Sequence, residues 1–165
     1  MMADTKGREY KRETVCKALE GFLDRCMELN QIDWDEDDIL SYRNITDITL
    51  FGSFVNSNKE KVHDLDIHIV WALTDFAKSM DSRERMVLAS RLAPYGTNYI
   101  ISCFWEQEGC ARFLKNRSPI LSLDSQDDIN QLEGRKVKIM ENGVILEDNL
   151  KMIFKENNYK PKSWK

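Results

Sequence analysis

Two apolar segments joined by a short polar connection constrain this chain more than any other feature. The first, Leu50-Phe51-Gly52-Ser53, is the end of an apolar strand pattern that runs into a Gly-Ser turn. The second, Asp64-Leu65-Asp66-Ile67-His68-Ile69-Val70, carries two carboxylates one residue apart. Because strand side chains alternate between the faces of a sheet, we expect Asp64 and Asp66 to share one face. The apolar residues between and after them are expected to face the core: Leu65, Ile67 and Ile69.

The two neighbouring carboxylates indicate a site for a cation. Like charges on one sheet face repel, so we expect a cation or strong hydrogen-bond donors between Asp64 and Asp66. Oxygen-rich sites of this kind suit Mg²⁺, which is usually held by one or two carboxylates together with substrate phosphates. Gly52 would let a phosphate approach the backbone closely, and Ser53 supplies a hydroxyl beside it. A Gly-Ser pair alone would predict only a tight turn, but the aspartates downstream favour a phosphate site.

The Gly-Ser turn, the length of the connection 54–63 and the Asp-x-Asp strand together resemble the signature of the DNA polymerase β-like nucleotidyltransferase superfamily. The short chain is most similar to the minimal nucleotidyltransferases, a group that includes antitoxins paired with HEPN-type toxins. The resemblance implies a mixed α+β fold, with a nucleotidyltransferase-like mixed β-sheet flanked by helices. It implies that Asp64 and Asp66 are catalytic and hold Mg²⁺ or Mn²⁺. Gly52 and Ser53 would then bind the β- and γ-phosphates of a nucleoside triphosphate.

Other candidate site residues follow from the same resemblance. Lys59 and Lys61 in the connection could reach triphosphate oxygens, although exposed solubilising lysines explain them equally well. The family usually has a third acid at the start of the next core strand, where this chain has Asn98. An amide oxygen can bind a metal but accepts a proton less well than a carboxylate. Glu106 has the same strand parity as Asn98 but lies roughly 26 Å further on at strand rise, so only one of them can approach the aspartates.

Periodicity and capping signals predict the remaining elements. We expect a helix over 8–30 from its apolar spacing, a strand over Ile45–Phe51, and a central strand over Asn98–Trp105 that is apolar on both faces. Asp81 with Glu84 predicts a helix start, and Asn142-Gly143 predicts a hairpin turn. The remaining predictions are short helices near 36–42, 109–116 and 124–132, a hairpin over Lys136–Glu147 and a helix over 148–157.

The composition bounds the class of protein. A chain of 165 residues with ordinary apolar and charged fractions predicts a single domain over 1–165, with a core of about 8–150 and a basic tail over 158–165. The net charge of −4 makes nucleic acid the less favoured partner, because nucleic-acid affinity depends on basic surface. The absence of an apolar run of membrane-spanning length predicts no membrane partner. The first residues, Met1 to Arg12, are charged and lack the apolar region of a signal peptide, so we expect a cytoplasmic protein. The four cysteines lack metal-ligand spacing and are expected to be free thiols.

The resemblance implies transfer of a nucleoside monophosphate, with AMP from ATP as the expected case, to a hydroxyl acceptor. The acceptor could lie on a partner protein such as a HEPN-type toxin, on a small molecule or on RNA. Because the third acid is not evident, three interpretations stay open. The chain could be an enzyme with two acids, an enzyme with a relocated Glu106 or Glu108, or a degenerate relic that binds a nucleotide or a partner.

Overall fold

A mixed β-sheet forms the centre of the computed structural model, which describes residues 7–32, 37–125 and 129–161. The strands are β1 (Tyr10–Lys11), β2 (Arg43–Phe51), β3 (Lys61–Val62), β4 (Leu65–Leu73), β5 (Leu121–Asp124), β6 (Val137–Glu141) and β7 (Val144–Ile145). Five of them form the main sheet in the order β5-β4-β2-β6-β7, and β1 pairs with β3 in a separate ribbon. The pairing of β4 with β5 is parallel, and the other pairings are antiparallel.

Helices precede, interrupt and follow the strands, so that the protein belongs to the mixed α+β class. They are α1 (Arg12–Gln31), α2 (Ser53–Asn56), α3 (Asp75–Lys78), α4 (Ser82–Ser90), α5 (Tyr99–Cys103), α6 (Trp105–Lys115) and α7 (Glu147–Glu156). Two short 3₁₀ segments span Ile39–Ser41 and Ile129–Gln131. Within the described ranges, no helix is both long and apolar enough to cross a membrane.

The long helix α1 supplies much of the core that supports the sheet. The prediction of a helix over 8–30 is confirmed, although the helix begins at Arg12 because Lys11 is extended and pairs with β3. Its apolar residues recur at helical spacing, and each large side chain that is fully buried contributes about 1.5–3 kcal/mol. The buried residues of α1 are Val15, Cys16, Leu19, Phe22, Leu23, Cys26 and Leu29. They share one core with the inward residues of β2 and β4 and with Leu150, Ile153 and Phe154 of α7.

The two strands that carry the Gly-Ser and Asp-x-Asp motifs lie side by side, as their patterns predict. Leu65, Ile67 and Ile69 of β4 are buried in the core. The antiparallel register places Phe51, the last residue of β2, opposite Asp66. Gly52 then takes a positive φ of 77°, a conformation that a residue with a Cβ adopts only at a cost, and α2 begins at Ser53. The start of β4 is therefore held next to the turn that ends β2.

The predicted central strand over Asn98–Trp105 is wrong. Asn98 instead caps α5, accepting a hydrogen bond of 2.8 Å from the amide of Ile100, and α6 begins at Trp105. Tyr99, Ile100 and Phe104 are exposed rather than central, so their apolar character does not reflect burial in a sheet. A run of eight residues with apolar side chains in both parities fits a buried strand and a short helical turn equally well, and tertiary packing decides between them.

Several local signals are confirmed. Asp81 accepts a hydrogen bond of 2.8 Å from the amide of Glu84 at the start of α4. Asn142 and Gly143 both have positive φ in the predicted hairpin between β6 and β7, and the helix predicted over 148–157 is α7. The helix predicted near 109–116 is part of the longer α6. The four cysteines are free thiols, and burial raises the pKa of the Cys110 thiol to about 12.

Two of the short predicted helices differ in the structure. The helix near 36–42 is reduced to the 3₁₀ segment Ile39–Ser41, and residue 36 lies outside the described residues. The helix over 124–132 is largely wrong, because Asp124 ends β5 and only Ile129–Gln131 is helical in the described part of that segment. Residues 126–128 and 162–165, the last being half of the predicted basic tail over 158–165, lie outside the described residues.

Candidate active site

Asp66 lies directly against the Gly52 turn. A Cβ atom built on Gly52 would overlap the Asp66 Oδ2 atom and would lie only 2.9 Å from its Cγ. No side chain larger than that of glycine therefore fits at position 52 unless Asp66 moves. The absence of a side chain at this bend lets the carboxylate of β4 occupy the space beside the end of β2.

Asp64 and Asp66 are close enough for their charges to interact. The pKa of Asp66 is raised from its ordinary value of 3.8 to about 6, first by burial and then by the negative charge of Asp64. A hydrogen bond with Ser122 acts in the opposite direction and lowers the pKa. The two acids thus form the repelling pair that the alternation of β4 predicts, and the pair lies next to the glycine bend.

A third carboxylate, Asp124, was missed by the sequence reasoning. The parallel register of β4 and β5 pairs Asp66 with Ser122 and His68 with Asp124. Because these residues share strand parity, the side chains of Ser122 and Asp124 lie on the same face as those of Asp66 and His68. The charge of Asp124 also contributes to the raised pKa of Asp66. The alternation Leu121-Ser122-Leu123-Asp124 could have indicated this strand, but it is only four residues long. Its last residue, Asp124, was instead placed at the start of the helix predicted over 124–132.

The residues expected as a third ligand lie elsewhere. Asn98 uses its side-chain oxygen to cap α5. Glu106 is nearly buried and accepts hydrogen bonds from Arg43 Nε at 3.0 Å and from Arg85 Nε at 2.8 Å. Arg43 begins β2, whereas Phe51 ends it opposite Asp66. Glu106 therefore contacts the end of β2 that is about 26 Å of strand away from Asp66. The alternative acid, Glu108, forms an exposed ion pair with Arg112 within α6.

The connection that carries Lys59 and Lys61 is held by Arg12. The Arg12 guanidinium donates hydrogen bonds to the backbone carbonyls of Phe54 at 2.8 Å, Ser57 at 2.7 Å and Lys59 at 2.6 Å. These donors satisfy backbone acceptors that have no strand partner. Lys59 and Lys61 are exposed, and neither forms an ion pair with an acid in the described part of the chain.

Asn56 connects the Gly-Ser turn to the segment that precedes β6. Its Nδ2 donates hydrogen bonds to the carbonyl oxygens of Gly52 at 2.9 Å and Arg135 at 3.0 Å, and its Oδ1 accepts one from the Arg135 amide. Gly134 makes room for this side chain, because a Cβ there would lie 2.8 Å from Asn56 Oδ1. The bend beside Asp66 is therefore fixed from two sides, by the strand pair and by Asn56.

The donor set fits a hard divalent cation that is also bound by a substrate. Among the described residues, no three His, Cys, Asp or Glu side chains form a group that could hold a metal ion. Mg²⁺, however, commonly takes one or two protein carboxylates and completes its coordination with phosphates and water. The repulsion between Asp64 and Asp66 is the property that such a cation would relieve.

Comparison of the chain with protein-family models, with curated proteins and with solved structures found no match. The case for a function therefore lies in the residues of this site and their arrangement.

Proposed function

We propose that this protein is a Mg²⁺-dependent nucleotidyltransferase that moves a nucleoside monophosphate, AMP from ATP in the expected case, to a hydroxyl acceptor. The observation that carries the proposal is the contact between Asp66 and Gly52, with the charge of Asp64 beside it. This contact unites the two halves of the Gly-Ser and Asp-x-Asp signature, which are separated by residues 54–63 in the sequence.

The arrangement of the strands supports the nucleotidyltransferase-like fold that this proposal requires. A glycine turn between a strand and a short helix is followed by an antiparallel strand that begins directly after Asp64 and carries Asp66, and a parallel strand adds a third acid. The helices α1 and α7 contribute to the core beneath the opposite face of these strands. The acids are therefore carried on a supported sheet, which holds them more rigidly than loops would.

Each residue of the site has a role in the proposed reaction. The backbone at Gly52 and the exposed Ser53 hydroxyl would bind the β- and γ-phosphates, and Asp64 and Asp66 would hold the metal ion. Bound Mg²⁺ would neutralise phosphate charge and stabilise the charge that develops on the leaving group. The acceptor oxygen attacks the α-phosphorus, a new P–O bond forms, and the bond to the bridging oxygen breaks as pyrophosphate leaves. Asp124 is the carboxylate that we assign to take the proton of the acceptor hydroxyl.

The partner that the resemblance implies is a protein acceptor such as a HEPN-type toxin. Little of the chain lies outside the sheet and the helices around it, so no separate acceptor-binding domain is evident among the described residues. A macromolecular partner or a small molecule would then complete the cleft over the sheet. A mass increase of one or more nucleotides on a co-purified partner protein would identify the acceptor.

The proposal is tested with Asp66→Asn in an assay of label transfer from radioactive ATP to candidate acceptors. Removing one metal-binding charge is expected to lower the rate by about 100-fold or more, because catalysis of this kind depends on electrostatics and placement. Asp24→Asn is the matched control, since Asp24 is an exposed residue of α1 and the same change there is expected to leave the rate within about twofold.

Two outcomes would contradict the proposal. Transfer by Asp66→Asn near the unmutated rate would reject the assigned roles. ATP binding without turnover, unaffected by a metal chelator, would favour the interpretation of the chain as a nucleotide-binding relic.

A further inference from the structure

A cleft with cationic walls lies beside the C-terminal end of α6, and none of the three acids lines it. Its volume is about 600 Å³, and its walls include Pro94, Trp105, Arg112, Lys115 and Arg117. The Arg112 guanidinium lies over the Trp105 ring, 5.1 Å from the ring centre, so one wall is a cation stacked on an aromatic side chain. We call this surface, with the three cations Arg112, Lys115 and Arg117, the cationic cleft.

The charge of the cationic cleft is only partly neutralised by the protein. Arg112 pairs with Glu108 at 3.0 Å, but Lys115 and Arg117 form no ion pair with an acid in the part of the chain that the structure describes. Asn116 and Arg117 both have positive φ, at 47° and 58°, which is a costly conformation for residues with a Cβ. The charges of Lys115 and Arg117 attract anions to this surface, even though the net charge of the chain is −4.

Exposed aromatic rings lie next to the cleft in the sequence on both sides. Tyr95, which follows the lining residue Pro94, is fully exposed, and Phe104, which precedes the lining residue Trp105, is 67 % exposed. Single-stranded nucleic acids bind to surfaces that combine cations for the phosphates with exposed aromatic rings on which bases stack. An acidic peptide would use the cations but would leave these rings without flat partners.

We propose that the cationic cleft binds a single-stranded nucleic acid, with Lys115 and Arg117 on consecutive phosphates and Tyr95 and Phe104 against bases. The inference goes beyond the transferase activity and does not depend on it, because none of these residues belongs to the site around Asp66. Both RNA and DNA strands present this chemistry, and the experiment separates them.

The test measures the fluorescence anisotropy of labelled oligouridylate and oligothymidylate, each about a dozen nucleotides long, with the full chain at about 50 and 200 mM salt. The variant Lys115→Gln/Arg117→Gln is expected to bind about tenfold more weakly. Its plot of log affinity against log salt should be less steep by about 1.4, the amount for two lost phosphate contacts of a single strand. Tyr95→Ala is expected to weaken binding about fivefold or more through lost stacking.

The matched control is Lys151→Gln/Lys155→Gln, which removes the same charge from exposed positions of α7. Equal weakening by the control would show a general electrostatic effect and overturn the proposal, as would no binding by the unmutated chain up to about 0.1 mM. Competition by polyglutamate as effective as that by the oligonucleotides would assign the surface to an acidic protein instead. Retained affinity in the control, together with weaker binding by the cleft variants, supports the proposal. The oligonucleotide that binds more tightly shows whether the cleft prefers RNA or DNA.

Discussion

At the scale of single residues, Gly52 and Asp66 depend on each other for space. The bend needs a residue that tolerates a φ of 77°, and the carboxylate needs a neighbour without a Cβ. Glycine meets both needs at once, which is why the backbone and the acid can be adjacent. The absence of a Cβ at Gly52 would also let a phosphate approach the backbone at this bend.

We expect Gly52→Ala to destabilise the protein by about 2 kcal/mol or more, because the new Cβ adds a collision with Asp66 to the strain of positive φ. The control is Gly143→Ala, since Gly143 has a φ of 79° but nothing within 4 Å of a built Cβ. That variant should lose only about 1 kcal/mol of unfolding free energy, which is the cost of the strained φ. Urea unfolding of both variants measures the difference, and equal losses would show that the contact with Asp66 carries no constraint.

At the scale of elements, β5 and α6 determine which acids reach the site. The short strand β5 brings Asp124 to the face of Asp66 only because it pairs in parallel with the start of β4. The helix α6 instead carries Glu106 to the far end of β2, between Arg43 and Arg85. Glu106 is therefore a structural ion-pair residue in this fold rather than a neighbour of the aspartates.

Glu106→Gln is expected to cost about 3 kcal/mol of unfolding free energy, because two nearly buried guanidinium groups lose their shared counter-charge. Glu108→Gln is the matched control, since its ion pair with Arg112 is exposed and contributes at most about 0.5 kcal/mol. Thermal or urea unfolding compares the two variants. A loss by Glu106→Gln no larger than that of the control would contradict the structural role.

At the scale of the whole molecule, the ionised acids of the site lower the free energy of unfolding. The folded state buries Asp66 and places it near Asp64 and Asp124, so folding carries a cost when Asp66 is ionised. Because the folded pKa of Asp66 is raised to about 6, the folded state binds a proton between about pH 4 and 6 that the unfolded chain has released. The cost is thus full above pH 6 and absent below about pH 4.

Asp66→Asn is accordingly expected to stabilise the protein at about pH 7 by about 1 kcal/mol, allowing for solvent screening of a half-buried group. The gain should shrink as the pH falls through 6 and be near zero at about pH 4, where the native acid is protonated. Urea unfolding of the variant and the unmutated protein at both pH values measures it. A gain that does not change with pH would argue against a raised pKa at Asp66.

The local patterns of the sequence predicted the elements whose residues interact with near neighbours in the chain. The spacing of Val15, Leu19 and Phe22 is enough to indicate α1, and the alternation around Asp66 is enough to indicate β4, since each pattern needs only one buried face. The Gly-Ser and Asp-x-Asp motifs also identified the turn and the acid pair that lie together. Capping at Asp81 and the turn at Asn142 were predicted for the same reason.

The tertiary structure alone decided which distant residues meet. Asp124 joins the acid face through the register of a parallel strand pair, and Glu106 and Arg12 take partners from segments 21 to 63 residues away. Such meetings depend on strand order, on register and on which side of the sheet each helix packs, and no local periodicity carries that information. The sequence therefore determined the turn and its two carboxylates, and packing determined the third.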